Sequence, residues 1–346
     1  MHKLTTLLIC FTILISCTKE YTPREINNIS INEIKMDSTS IRAIHAISKH
    51  EVVFAGSKGD IGFTEDGGAA WKFINIQYQD TIIPHFRSIT KTKTSLFVLS
   101  VANPALLYKI ENGATSLVYK ENHPKVFYDA MTFVNDNVGI AIGDPIDGCT
   151  SIIMTTDGGN NWNKIDCSDL PQVNEGEASF AASNTNISFF KNSIWVVTGG
   201  EKARVLKSED LGKTWSIFDT PIVQGSGPQG IYSVDFYDEN NGIVIGGDYS
   251  KPEENKANVA ITKDGGKTWT LVADGINPNY KSCVQYIPGT KGNEVIAVGK
   301  TGVSFSNDGG QTWKDVSSDS YYAIQFVDEN TAWLSGHEKI GKLELK

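Results

Sequence analysis

One eight-residue pattern recurs five times along the chain: Thr64-Glu-Asp66-Gly-Gly-Ala-Ala-Trp71, Thr155-Thr-Asp157-Gly-Gly-Asn-Asn-Trp162, Ser208-Glu-Asp210-Leu-Gly-Lys-Thr-Trp215, Thr262-Lys-Asp264-Gly-Gly-Lys-Thr-Trp269 and Ser306-Asn-Asp308-Gly-Gly-Gln-Thr-Trp313. Its chemistry is that of a hairpin turn: the Asp carboxylate can accept turn N–H groups, Gly takes positive φ, and the Trp packs back onto the strands. A chain punctuated this way is an array of repeated hairpins.

The pattern aspartates, at 66, 157, 210, 264 and 308, are 91, 53, 54 and 44 residues apart, and the first interval is two periods with one copy missing. A period near 45 residues is one four-stranded propeller blade. Short apolar strands ending in Gly or Ser recur at Val52–Gly56, Leu96–Ser100, Gly139–Gly143, Ile194–Gly199, Gly242–Gly246, Val295–Gly299 and Ala332–Gly336, which predicts seven blades. The last blade runs out after three strands, so the alternating segment from Ile29 to Ile34 is expected to supply its fourth and close the ring, leaving no free edge. With 32 Gly and 10% aromatic residues, and no long helical periodicity, an all-β fold over residues 29–346 is expected.

The octapeptide resembles the Asp box, or BNR repeat, of sialidases and of the photosystem II stability and assembly factor family. Over nearly the whole chain the resemblance is to the latter. It implies a seven-bladed propeller that binds or helps assemble a partner without chemistry of its own, with the boxes (Asp66, Asp157, Asp210, Asp264, Asp308 and Trp71, Trp162, Trp215, Trp269, Trp313) as structural turns. The alternative is a sialidase-like glycoside hydrolase or carbohydrate-binding protein. His85-Phe86-Arg87-Ser88-Ile89 is similar to the sialidase Phe-Arg-Ile-Pro motif and carries over Arg87, but no Tyr-Glu nucleophile pair is identifiable. A generic oxidoreductase label would need a cofactor site. Gly225-Ser-Gly-Pro-Gln-Gly230 fits G-x-G-x-x-G, yet it precedes a strand and opens no helix, so no cofactor is expected.

Lys3 followed by the apolar run Leu7–Ile15 predicts a signal peptide over 1–16, and Leu14-Ile-Ser-Cys17 resembles a bacterial lipobox with Cys17 as the acylated residue. Residues 17–28 are then the tether, and the protein is expected on the outer membrane, at its periplasmic face or the cell surface, as a monomer. Without residues 1–16 the chain has 30 basic against 40 acidic side chains, a net charge of −10, which argues against nucleic-acid partners. Cys149 and Cys167 flank the pattern of blade three and are expected to pair in an oxidising compartment. Cys283 is left over, and no Cys/His spacing fits a metal.

In a propeller, the starts of the innermost strands and the second-to-third-strand loops share one face. Aligning the blades puts Arg42, Arg87, Asp129, Glu177, Tyr232, Ser282 and Tyr322 at this mouth, with Asp144, Arg204, Asp248, Tyr249 and Lys300 on the loops. Only four arginines stand against 27 lysines. Arg24 falls in the tether, and Arg42, Arg87 and Arg204 fall at the mouth. Because Arg offers a planar fork for carboxylate and phosphate, this segregation predicts an anion site shaped by Asp129, Asp144, Glu177, Tyr232, Asp248 and Tyr249. The partner is expected to be an envelope protein, an acidic glycan or a small anion. The competing explanation is that the arginines pair with loop acids.

Overall fold

The computed structural model describes residues 21–345; the expected signal segment and Cys17 lie outside them. Apart from one 3-10 turn, Cys167–Asp169, the described residues build only strands, turns and loops. The strands pair antiparallel, and their innermost members form a closed ring. Ile29–Ala46 touches Phe86–Lys91, followed in turn by Tyr128–Phe133, Ile187–Phe190, Gln229–Phe236, Cys283–Tyr286 and Ala323–Phe326, which returns to Ile29–Ala46. The fold is an all-β propeller.

Among the described residues the strands form six hydrogen-bonded sheets, where the sequence predicts seven blades. The difference comes from one continuous strand. Ile29–Ala46 pairs through Ile29 to Lys35 with the chain's last strand, Leu345 back to Lys339, and then through Ile41 to Ala46 with Val52–Gly56. The strand groups expected as first and last blade are therefore one six-stranded sheet. A second six-stranded sheet arises because the short strands Glu177–Ala178 and Gly199–Gly200 join the sheet of Gln229–Phe236. That junction needs glycine: a Cβ on Gly230 (φ 142°) would lie 2.3 Å from the Cα of Gly199, and one on Gly246 would lie 1.8 Å from the Gly230 carbonyl oxygen. The last glycine of the G-x-G-x-x-G sequence thus serves strand contact.

The repeated turns share one geometry. In the second, Thr155 Oγ1 donates to Asp157 Oδ1 (2.8 Å) and accepts from Gly159 N (3.0 Å), while the Asn160 and Asn161 N–H groups donate to the same carboxylate (3.0 Å each). The backbone N–H and side chain of Asn161 lead the contacts that pull the Asp157 carboxyl down to about 2. The turn tryptophans are less buried than expected: Trp162 is buried, and Trp71, Trp215, Trp269 and Trp313 are half-buried. The fully buried tryptophans are Trp195 and Trp333, which the repeat does not mark. Trp195 stacks on Phe236 at 3.6 Å and donates to the Gly265 carbonyl of the next repeated turn (2.8 Å), filling the space between sheets.

Neighbouring innermost strands are tied at the end of the channel away from the mouth. Tyr286 N donates to Asp235 (2.7 Å), Phe326 N to Gln285 (2.8 Å) and Ala46 N to Gln325 (2.8 Å). Asp235 is desolvated enough for burial to push its carboxyl up to about 6.

Two local expectations change. Residues from Tyr21 onward, read as tether, are docked on the body: Ile26 is 3% exposed within an apolar cluster, and Arg24 is held by the buried Glu294. Cys149 and Cys167 are joined (Sγ–Sγ 2.16 Å, Cα–Cα 5.7 Å), but Cys167 sits in the 3-10 turn beyond the outer strand Asn163–Lys164 and not at that strand's end.

Candidate functional site

The starts of the innermost strands surround a cavity of about 530 Å³, lined among others by Arg42, Arg87, Phe127, Phe180, Tyr232, Tyr249, Tyr280, Lys300 and Tyr322. Its floor is the connection leading into Ile187–Phe190. That connection reaches across the ring: Asn184 donates to the Ile89 carbonyl (2.9 Å) and accepts from Met131 N (2.8 Å), while Ser183 donates to the Ser282 carbonyl (2.7 Å). Ala181, Ala182 and Ser183 are buried. The channel is thereby plugged, and its mouth becomes a closed-bottomed pocket.

Two guanidinium groups face this pocket. Arg42 lies over the Tyr322 ring, 4.0 Å from its centroid, and donates to the Ala182 carbonyl (3.3 Å). Arg87 donates to the Ala181 carbonyl (3.2 Å) and to His85 Nε2 (3.4 Å). Neither forms an ion pair among the described residues, in contrast to Arg24 and Arg204. Burial, and then the repulsion of Arg42, bring the Arg87 guanidinium down to about 10. Burial and the two arginines likewise hold the His85 imidazole near 4, and therefore neutral. A partly desolvated pair of like charges is relieved by an anion, and the planar forks suit carboxylate or phosphate.

The apolar wall is a run of rings. Phe180 stacks on Tyr232 (3.9 Å, 5° between planes), Tyr280 meets Tyr232 edge-on at 4.8 Å, and Tyr249, 52% exposed, stands at the rim 6.4 Å from Tyr232. Tyr232 Oη is committed to the Pro228 carbonyl (2.7 Å), so the ring, and not the hydroxyl, is what it offers a ligand.

The sequence-predicted site residues divide. Arg42, Arg87, Tyr232 and Tyr249 line the pocket together with Ser282, Lys300 and Tyr322. Arg204 does not: Glu177, without exposed side-chain surface, takes its Nε (3.1 Å) and Nη2 (2.5 Å). Glu177 lies in a short strand ten residues before the innermost strand Ile187–Phe190, so its place in the aligned column was an error of register. Asp248 is turned into its own loop, accepting from Ser250 N (2.9 Å). Asp144 accepts from Ser179 N (2.9 Å) at the base of the plug, and burial raises its carboxyl. Asp129 is fully buried. Desolvation, and then Asp144, push its carboxyl well above the usual carboxylate range, and Arg87 acts in the opposite direction.

Phe127, Phe180, Ala181, Ala182 and Tyr280 were not anticipated. For Phe180, Ala181 and Ala182 the available signal was length: the connection between Asn163–Lys164 and Ile187–Phe190 is far longer than the other connections into innermost strands, for example between Lys314–Ser317 and Ala323–Phe326.

No family model matches the chain, and no curated protein matches it. Among solved structures it is similar to YCF48 bound to D1 peptide (16% identity, 93% of this chain and 100% of that chain, TM-score 0.66) and to YCF48 from Cyanidioschyzon merolae (15%, 91% and 98%, TM-score 0.65). It is also similar to the WD40 repeats of RRP9 (10%, 93% and 100%, TM-score 0.65). At these identities the likeness is one of fold, and the fold they share with this chain is the β-propeller.

Proposed function

We propose that this chain is an exported, lipid-anchored Asp-box propeller that captures an acidic group of an envelope protein, or an acidic small ligand, at its channel mouth and assists assembly without chemistry of its own. The observation that carries the reading is the pair Arg42 and Arg87: two guanidinium groups in one aromatic-walled pocket, held by carbonyl, imidazole and ring contacts and by no carboxylate. A protein partner is favoured by the likeness to YCF48, which is seen bound to a D1 peptide. The sialidase-type alternative, which rests on a cluster of three arginines, is weakened because Glu177 occupies Arg204. Export and acylation at Cys17 rest on the sequence alone.

Calorimetric titration with acidic peptides bearing a free C-terminal carboxylate, with their amidated forms and with hexuronates tests the proposal. Binding that requires the carboxylate and weakens in Arg87→Lys supports it. Binding indifferent to both, or none across the panel, sinks it.

A further inference from the structure

The docked N-terminal segment lies on the face opposite the mouth. The partners of Tyr21 and Arg24 belong to turns at the far end of the strands, and Asn27 accepts from Lys314 at the start of the strand Lys314–Ser317. Arg24 and Tyr21 both bond Glu294, which precedes Val295–Gly299 in the turn after Cys283–Tyr286. Arg24 also bonds Asn330 (2.7 Å) in the turn after Ala323–Phe326, and Asn307 in a repeated turn bonds the Arg24 carbonyl (3.2 Å). Topology demands this placement. Ile29 to Lys35 is an outermost strand running from the repeated-turn face toward the mouth face, antiparallel to Lys339 to Leu345, so whatever precedes Ile29 must leave from the repeated-turn face. The paired stretch from Ile29 to Lys35 alone rises about 20 Å.

From this we infer that the anchored protein holds its mouth away from the bilayer, so that the anion it takes is carried by a partner in the aqueous phase and not by a headgroup of the anchoring membrane. The inference rests on the proposed acylation of Cys17. From Cys17 to Tyr21 the chain reaches at most about 14 Å. That leash starts at the repeated-turn face and is too short to pass around the sheets and bring Arg42 and Arg87 to lipid. A long free tether over 17–28 would leave orientation open; the clasp of Tyr21, Arg24 and Ile26 removes most of that freedom.

The test uses the full chain recovered from membranes and reconstituted in phosphatidylethanolamine–phosphatidylglycerol vesicles. A donor dye is placed on Lys251→Cys, beside the mouth, or on Lys291→Cys, in the turn before Glu294; both lysines are exposed, and the buried Cys283 takes no dye. Energy transfer to an acceptor-labelled headgroup should be greater from 291 than from 251, and Arg87→Lys should lose affinity for a soluble acidic peptide by about tenfold without changing vesicle retention. Equal transfer, or greater transfer from 251, overturns the orientation. Vesicle retention that depends on Arg87 overturns the choice of an aqueous partner. An intact mass without acyl chains instead removes the anchoring premise, and is read before either.

Discussion

Arg24 closes on Glu294 through three N–H groups, with its backbone N on Oε1 (2.7 Å) and its Nε and Nη2 on Oε2 (2.9 and 2.6 Å), and Glu294 has no exposed side-chain surface. Removing the arginine side chain takes both donors from Oε2 of a buried carboxylate and leaves Oε1 with the backbone N–H and Tyr21 Oη, a loss of about 2 kcal/mol. Arg24→Ala should therefore lower stability by that order in urea titration. Unchanged stability would mean the segment is a loose tether after all.

Arg87 and Arg204 carry the same charge in different settings, and conservative substitution separates them. Lysine cannot reproduce the fork. Arg87→Lys should weaken acidic-ligand binding by about tenfold, the loss of one charge-assisted hydrogen bond, while leaving the melting temperature nearly unchanged. Arg204→Lys should do the reverse, because its partner Glu177 is buried. Titration calorimetry and thermal melting of both variants decide the matter.

Asp235 predicts a pH dependence. Its folded pKa near 6 lies above the ordinary 3.8, so between these values the folded protein keeps a proton that the unfolded chain releases. Stability contributed by this group is full below about pH 4, falls as pH rises to about 6 and is flat above. The shift alone corresponds to about 3 kcal/mol; Asp235 keeps some surface in the channel, and screening reduces the expected size to about half that. Asp235→Asn should gain on the native protein between pH 5 and pH 7. Parallel melting curves across that range would refute it.

Leu211 occupies the position of a positive-φ glycine in the other repeated turns, with φ 63° against 79° at Gly67 and 73° at Gly158. A left-handed backbone costs a branched residue about 1 kcal/mol. Leu211→Gly should stabilise the protein by a similar amount in denaturant unfolding, and a loss would show that the leucine side chain earns more by packing than its backbone loses.

Trp195 and Trp313 should respond unequally to truncation. Trp195 is wholly buried against Phe236, and its replacement by Ala should cost about 3 to 5 kcal/mol. Trp313, half-buried on its turn, should cost clearly less. Equal losses by thermal denaturation would restore the repeat tryptophans as the main core elements.

What could be read from sequence was local and repeated. The five Asp-x-Gly turns announce themselves because a carboxylate within four residues of the N–H groups it binds needs nothing from the rest of the chain. The strands between them follow from alternation and glycine spacing, and the aligned column correctly put Arg42, Arg87 and Tyr232 on the same face as the loop residue Tyr249, because innermost strands start in register around a ring.

Sequence alone therefore determined the strand-and-turn grammar of this protein, led to the expectation that Cys149 and Cys167 pair, and put Arg42 and Arg87 on one face. The tertiary structure decided the rest. Continuity of Ile29–Ala46 through two strand groups makes six sheets where seven blades were expected. The long connection before Ile187–Phe190 fills the channel and moves Glu177 onto Arg204, and Arg24 proves to be a clasp. Each of these depends on which distant group a side chain meets. Arg24, Arg42, Arg87 and Arg204 are chemically identical in the sequence, and only the fold determines that two face buried carboxylates while two are left facing a pocket.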